Sequence, residues 1–122
     1  MKLNDSVFFR YLVCAPDLNA HGTLHGGVLL RWIDEATGMH ARKLTNRVNV
    51  TRAMNEISFT SKVKIGEIVL IETFLKKAGK TSLTFQVNVF EDISSRKIAE
   101  VKEIIFVTID QQGNPVPHGV VI

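Results

Sequence analysis

Residues 15–38, APDLNAHGTLHGGVLLRWIDEATG, pass from a polar loop holding an asparagine and two histidines into an apolar run that opens on two glycines and carries an Asp-Glu pair. From Gly26 to Leu44 the apolar side chains recur at helical spacing. Leu29, Leu30, Trp32, Ile33, Ala36, His40, Ala41 and Leu44 fall on one arc at about 100° per residue. Arg31, Glu35 and Arg42 fall on the opposite side. An arc spanning half the cylinder is wider than the stripe of a surface helix, so the pattern predicts a helix packed on more than one side.

Outward from that helix the pattern turns to strands. Residues 7–15, VFFRYLVCA, are rich in β-branched and aromatic types and end at Pro16, which predicts an extended strand closed by a loop. RVNVTRAMNEISF (47–59), GEIVLIETFLKKA (66–78), KTSLTFQVNVFED (80–92) and KIAEVKEIIFVTID (97–110) are four more strand-like runs, parted by turn signals at Gly66, at AGK and at DISSR. They read as a meander. No strand alternates with a further helix, which argues against a doubly wound parallel sheet and predicts a single α+β domain over 1–122. One sheet covering one helix leaves an edge or a face in need of a partner, so an oligomer is expected.

Composition narrows the function classes. A 45% hydrophobic share with 22% charged residues is that of an ordinary globular chain, and no apolar run approaches the ~18 residues of a membrane helix. The N-terminal apolar piece is interrupted by Arg10 and preceded by Asp5, unlike a secretory signal, so the reading is cytoplasmic without a membrane partner. The net charge of +3 is spread along the chain instead of concentrated in a basic block with aromatics, which argues against nucleic acid. Cys14 is the only cysteine, which leaves no internal disulfide. His21 and His25 lack a third ligand, so no metal is expected.

Gly26 and Gly27 each lower helix propensity by about 1 kcal/mol relative to alanine. Two compatible readings offset that cost. A glycine pair lets the helix start lie close against a strand, and bare N–H groups at a helix N-terminus receive a carbonyl oxygen that becomes negative during reaction. Asp34 lies at the margin of the apolar arc, beside Leu30 and Ala41. It reads either as a boundary carboxylate paired with Arg31, or as a general base or nucleophile in a partly apolar cleft. Glu35, four residues after Arg31, reads as a solvated ion-pair member.

PDLNAHGTLHGGVLLRWIDEATG resembles the acyl-CoA thioesterases of the hotdog fold, whose pattern is a Pro-Asp-x-Asn loop, a glycine, an aromatic or histidine before Gly-Gly, and an Asp-Glu pair further on. The later segments are similar too: the Phe59 strand, the Gly66-Glu67 turn, the Gly79-Lys80-Thr81-Ser82 hairpin and the closing DQQGNPVP. Ser61-Lys62-Val63 depart from it where the family commonly carries a proline. The resemblance implies a helix wrapped by a five-stranded antiparallel sheet and a homodimer with shared active sites, often assembled into tetramers or hexamers. It further implies acyl-CoA as substrate, with no separate cofactor because CoA is part of the substrate. Asn19 of one subunit would face Asp34 of the other, and the backbone of Gly26 and Gly27 would bind the thioester carbonyl.

His25 reads as a helix cap or as a hydrogen-bond partner of that carbonyl, His40 as a satisfied core histidine, and Cys14 as a small buried residue. Thr81 and Ser82 read as hairpin residues or, with Lys80, as contacts to pantetheine or phosphate. Arg52, Lys62, Lys76 and Lys77 are further phosphate candidates or plain surface charges. Two other functions fit the same fold: a dehydratase using His25 with Glu35 or Asp34, and a non-catalytic acyl-CoA binding or sensing domain.

Overall fold

The computed structural model describes residues 2–121. Strand β1 (Val7–Leu12) leads through a 3₁₀ turn at Ala15–Asp17 and a polar loop into helix α1 (Gly26–Thr45). Four strands follow: β2 (Asn49–Phe59), β3 (Ile68–Ala78), β4 (Ser82–Glu91) and β5 (Lys97–Thr108). They form one antiparallel sheet in the order β1-β3-β4-β5-β2, with α1 on one face.

The helix ends where its sequence stops supporting it. Asn46 adopts φ 51° in the left-handed region, and its N–H closes on Arg42 O at 2.7 Å. Leu29, Trp32, Ile33, Ala36, Thr37, His40 and Ala41 are buried, so the arc read from the sequence is the packed face. Against it lie Val69, Ile71, Phe85, Val87, Val101 and Ile104, the inward residues of β3, β4 and β5. Fully burying each of these is worth roughly 1.5–3 kcal/mol. Tyr11 of β1 stacks on Trp32 at 4.8 Å between ring centroids, which fastens the sheet margin to the helix.

Only β3, β4 and β5 form a meander. β2 does not pair with β3 but crosses to the far edge and runs beside β5, from Asn49↔Thr108 to Phe59↔Ala99. The connector 60–67 carries the chain back across the end of the sheet, where local partners hold it. Thr60 N–H donates to Ile98 O at 2.7 Å, Leu24 N–H to Val63 O at 2.8 Å and Gly66 N–H to Val13 O at 2.9 Å. A connector tied to both edges cannot also close a tight hairpin. As a result β2 is an edge strand with one row of backbone groups unpaired within the chain.

Candidate active site

Asp34, in the third turn of α1, sits where the buried face meets the exposed one and is half-buried. Its Oδ1 accepts a hydrogen bond from the Thr51 hydroxyl of β2. Among the described residues neither Arg31 nor Glu35 forms an ion pair, so the reading of Asp34 as a partner of Arg31 and that of Glu35 as an ion-pair member are both corrected. Thr51 was not singled out in the sequence, because its role depends on β2 lying beside the helix. One shift in the β2–β5 register, between Thr51 and Ala53, aims it there. Arg52 and Glu56 have no paired position, Glu56 at φ 55°, so Thr51, Met54, Ile57 and Phe59 share the helix side where strict alternation would have separated them.

At the helix start the glycines have different tasks. His25 is the N-cap, and its Nδ1 accepts from Gly27 N–H at 2.9 Å, which requires that nitrogen to be unprotonated. A Cβ on Gly27 would stand 3.0 Å from the His25 ring, so the missing side chain is what admits the cap. Gly26 N–H has no partner among the described residues, and a Cβ there would meet only Phe59, at 3.9 Å. The capping reading of His25 therefore holds, and of the two glycine N–H groups it is Gly26 that stays free for a ligand.

Asn19 organises the loop before the helix. Its Oδ1 accepts from the N–H groups of His21 (2.9 Å) and Thr23 (3.1 Å), while Nδ2 donates to Thr23 Oγ1 at 3.1 Å. Gly22 closes the turn at φ 78°. One amide hydrogen of Asn19 remains for another acceptor. Asn19, Thr23, Gly26, Leu29 and Phe59 line a cavity of about 210 Å³. Within one chain Asn19 and Gly26 thus belong to one cluster, and Asp34 with Thr51 to another. The two lie against opposite ends of β2, with Phe59 eight positions after Thr51, about 25 Å of strand.

The remaining candidates scatter. Arg52 occupies the register break next to Thr51. At the β3–β4 hairpin the carbonyls of Lys80 and Thr81 accept from His118 N–H (3.2 Å) and Thr108 N–H (2.9 Å), and Ser82 O accepts from the ring of His118 (3.0 Å). Their backbones are therefore committed to holding the C-terminal segment. Cys14 is exposed and follows β1, which corrects its reading as a buried strand residue, since β1 ends at Leu12. His40 is buried with Nδ1 2.7 Å from Thr73 Oγ1, but Nε2 has no partner, so it is only half satisfied. Burial, aided by the nearby Lys43 ammonium, pushes its pKa down to about 4. Among the described residues no group of histidine, cysteine, aspartate or glutamate has the placement of a metal site, and no helix is long and apolar enough to cross a membrane.

The profile of the thioesterase superfamily matches residues 21–96. An uncharacterised acyl-CoA thioester hydrolase of Bacillus subtilis is 30% identical over 104 residues, which are 83% of this chain and 60% of that protein. This chain spans 29% of the cytosolic acyl coenzyme A thioester hydrolases of rat and mouse. Among solved structures, the acyl-CoA hydrolase of Staphylococcus aureus in complex with butyryl coenzyme A and coenzyme A superposes with a TM-score of 0.80 at 27% identity, over 92% of this chain and 68% of that one. An apo-hexameric acyl-CoA thioesterase superposes with a TM-score of 0.82 at 29% identity, over 92% and 74%. The Staphylococcus aureus enzyme has also been solved with an asparagine, an aspartate or a threonine replaced by alanine. Asn19, Asp34 and Thr51 repeat those three residue types in the same order and at the same separations along the sequence.

Proposed function

Because this chain belongs to the thioesterase superfamily, we propose that it hydrolyses acyl-CoA thioesters to a carboxylic acid and CoA, with Asp34 driving the attack at a site completed by a second copy. The observation that carries the reading is the Thr51–Asp34 hydrogen bond, made by two of the three residue types replaced in the Staphylococcus aureus hydrolase at matching separations. A threonine hydroxyl holding Oδ1 leaves Oδ2 free to act.

The chemistry follows from the charges that develop. Oδ2 of Asp34 takes a proton from water as the water oxygen attacks the thioester carbonyl, or attacks that carbon itself to form an anhydride that water then opens. Either route puts negative charge on the carbonyl oxygen. The free Gly26 N–H and the positive end of α1 stabilise it, and the remaining amide hydrogen of Asn19 orients the same group. Collapse breaks the C–S bond and the CoA thiolate leaves, taking its proton from the Asp34 carboxyl in the first route and from the water that opens the anhydride in the second. No metal or redox step is required.

Assembly supplies the missing half of the site. If β2 pairs antiparallel with β2 of a second copy about a two-fold axis at Asn55, Thr51 comes opposite Phe59 of the second copy. Asp34 then meets the cavity lined by Asn19 and Gly26 of that copy. The unpaired edge of β2 and the hexameric relative support this arrangement.

Free-thiol release measured over short, medium, long and aromatic acyl-CoAs tests the proposal. Turnover by the unaltered protein, lost at least a hundredfold in Asp34→Ala and substantially in Asn19→Ala with the assembly intact, is the expected result. Binding of acyl-CoA without turnover of any would make this a sensing domain instead.

A further inference from the structure

One wall of the cavity beside Gly26 comes from outside the strands. Ser61, Lys62 and Val63 of the connector 60–67 line it together with Asn19, Thr23 and Leu24. Backbone hydrogen bonds secure the two ends of that connector, from Thr60 N–H to Ile98 O and from Gly66 N–H to Val13 O. Residues 60–67 contain no proline that would fix the backbone between those ends. The shape of the wall therefore depends on what else holds the connector.

Arg96 reaches it from the turn between β4 and β5. That turn fixes the arginine at its own backbone, where Arg96 O accepts from Glu91 N–H at 2.8 Å and Arg96 N–H donates to Ser94 Oγ at 3.2 Å. The guanidinium donates to the two oxygens of Glu67 at 2.9 and 3.0 Å, to Lys62 O at 3.1 Å and to Ser61 Oγ at 3.3 Å. Every nitrogen of the side chain thus ends on the connector. Hydrogen bonds continue from there toward Asn19. Leu24 N–H donates to Val63 O at 2.8 Å, Thr23 and Lys64 form an antiparallel bridge, and Thr23 N–H and Oγ1 each meet the side chain of Asn19 at 3.1 Å.

We propose that Arg96 is a positioning residue for Asn19, holding the connector so that the loop before α1 keeps the free Asn19 amide hydrogen on the same carbonyl oxygen as Gly26 N–H. An exposed Arg–Glu pair alone contributes little. A planar fork joined to a carbonyl and a hydroxyl also sets direction, which a lysine ammonium in the same place does not. With β2 paired about Asn55, residues 61–63 come opposite 47–49 of a second copy, so the wall that Arg96 holds also borders the assembled site. The inference rests on the thioesterase reading and adds to it a residue that acts through the loop instead of on the substrate.

The test is a double-mutant cycle on acyl-CoA turnover with Arg96→Gln, Asn19→Ala and the two combined, alongside Arg96→Lys, with light scattering to follow the assembly. Arg96→Gln is expected to lower kcat about tenfold with KM changed less than about twofold, and to lower Asn19→Ala no more than about twofold further. Arg96→Lys, which keeps a charge opposite Glu67 without the fork, is expected to keep the thermal midpoint and the assembly and still lose about fivefold in kcat. Losses that multiply in the double variant, full activity in Arg96→Lys, or monomers in place of the assembly would each overturn the assignment while leaving the hydrolase in place. If the unaltered protein turns over no acyl-CoA, the hydrolase reading falls by itself and amide hydrogen exchange decides for Arg96. Faster exchange at Thr23 and Leu24 in Arg96→Gln, with α1 unchanged, upholds its hold on the Asn19 loop; faster exchange throughout, or at neither residue, overturns it.

Discussion

Asp34 and Thr51 lie seventeen positions apart in the chain, yet a single hydrogen bond makes them one unit. Thr51→Val removes the donor while keeping the shape, so kcat is expected to fall about tenfold with KM little changed, and Thr51→Ser to restore most of it. Steady-state kinetics on the best acyl-CoA check both. His40 offers a second test at this scale. Its pKa is about 4 in the folded protein against an ordinary 6.5, so the unfolded chain binds the extra proton first as pH falls. The neutral ring therefore contributes stability that is fully present above pH 6.5 and is lost as pH falls from there toward 4, on the order of 3 kcal/mol in all. Urea unfolding at pH 7 and pH 5 should register part of that loss, and His40→Leu should flatten the difference between the two.

At the scale of elements, α1 is held by its packed face, and its first turn is closed by a ring. Replacing His25 with alanine leaves Gly27 N–H without its acceptor and is expected to cost about 1 kcal/mol of stability, read as a lower urea midpoint. The β4–β5 turn is closed by a carboxylate in the same manner. Glu91 accepts from the N–H groups of Ser94 (2.8 Å), Ile68 and Ile93 (both 3.1 Å), and Arg96 forks both oxygens of Glu67 across to the connector 60–67. Backbone N–H donation, from Ser94 above all, holds Glu91 below the usual carboxylate range, and the Arg96 fork followed by Lys64 N–H does so for Glu67. Their contribution is complete above the ordinary value of 4.5 and is lost as pH falls below it, beneath most of the His40 range. Thermal unfolding of Glu91→Ala should begin at a lower temperature than that of the unaltered protein at pH 7, and the gap should narrow at pH 3.

For the whole molecule the decisive feature is that the Asn19–Gly26 cluster and the Asp34–Thr51 pair lie at opposite ends of one edge strand. A two-fold at Asn55 brings residue 55 of one copy beside its equivalent, so Asn55→Cys in a Cys14→Ser background is expected to form a disulfide-linked dimer on mild oxidation. Non-reducing electrophoresis reads the link and light scattering the native mass. A monomeric mass would end the shared-site mechanism.

Sequence by itself determined the local pieces. The apolar arc of α1, the five strand runs, the Asn19 loop and the placement of Asp34 at a helix margin are all encoded in short-range periodicity, because side chains three or four positions apart share a helix face whatever lies around them. Its family resemblance also carried the thioesterase motif, through Asn19 and the Gly26-Gly27 pair. Only the tertiary structure decided that β2 closes the far edge instead of joining a meander, that a break in its register at Arg52 turns Thr51 toward Asp34, and that Gly27 exists to admit the ring of His25. Those outcomes depend on which strand lies beside which and on where a ladder skips a residue. Such choices are settled by packing across the whole sheet, and no window of the chain contains them.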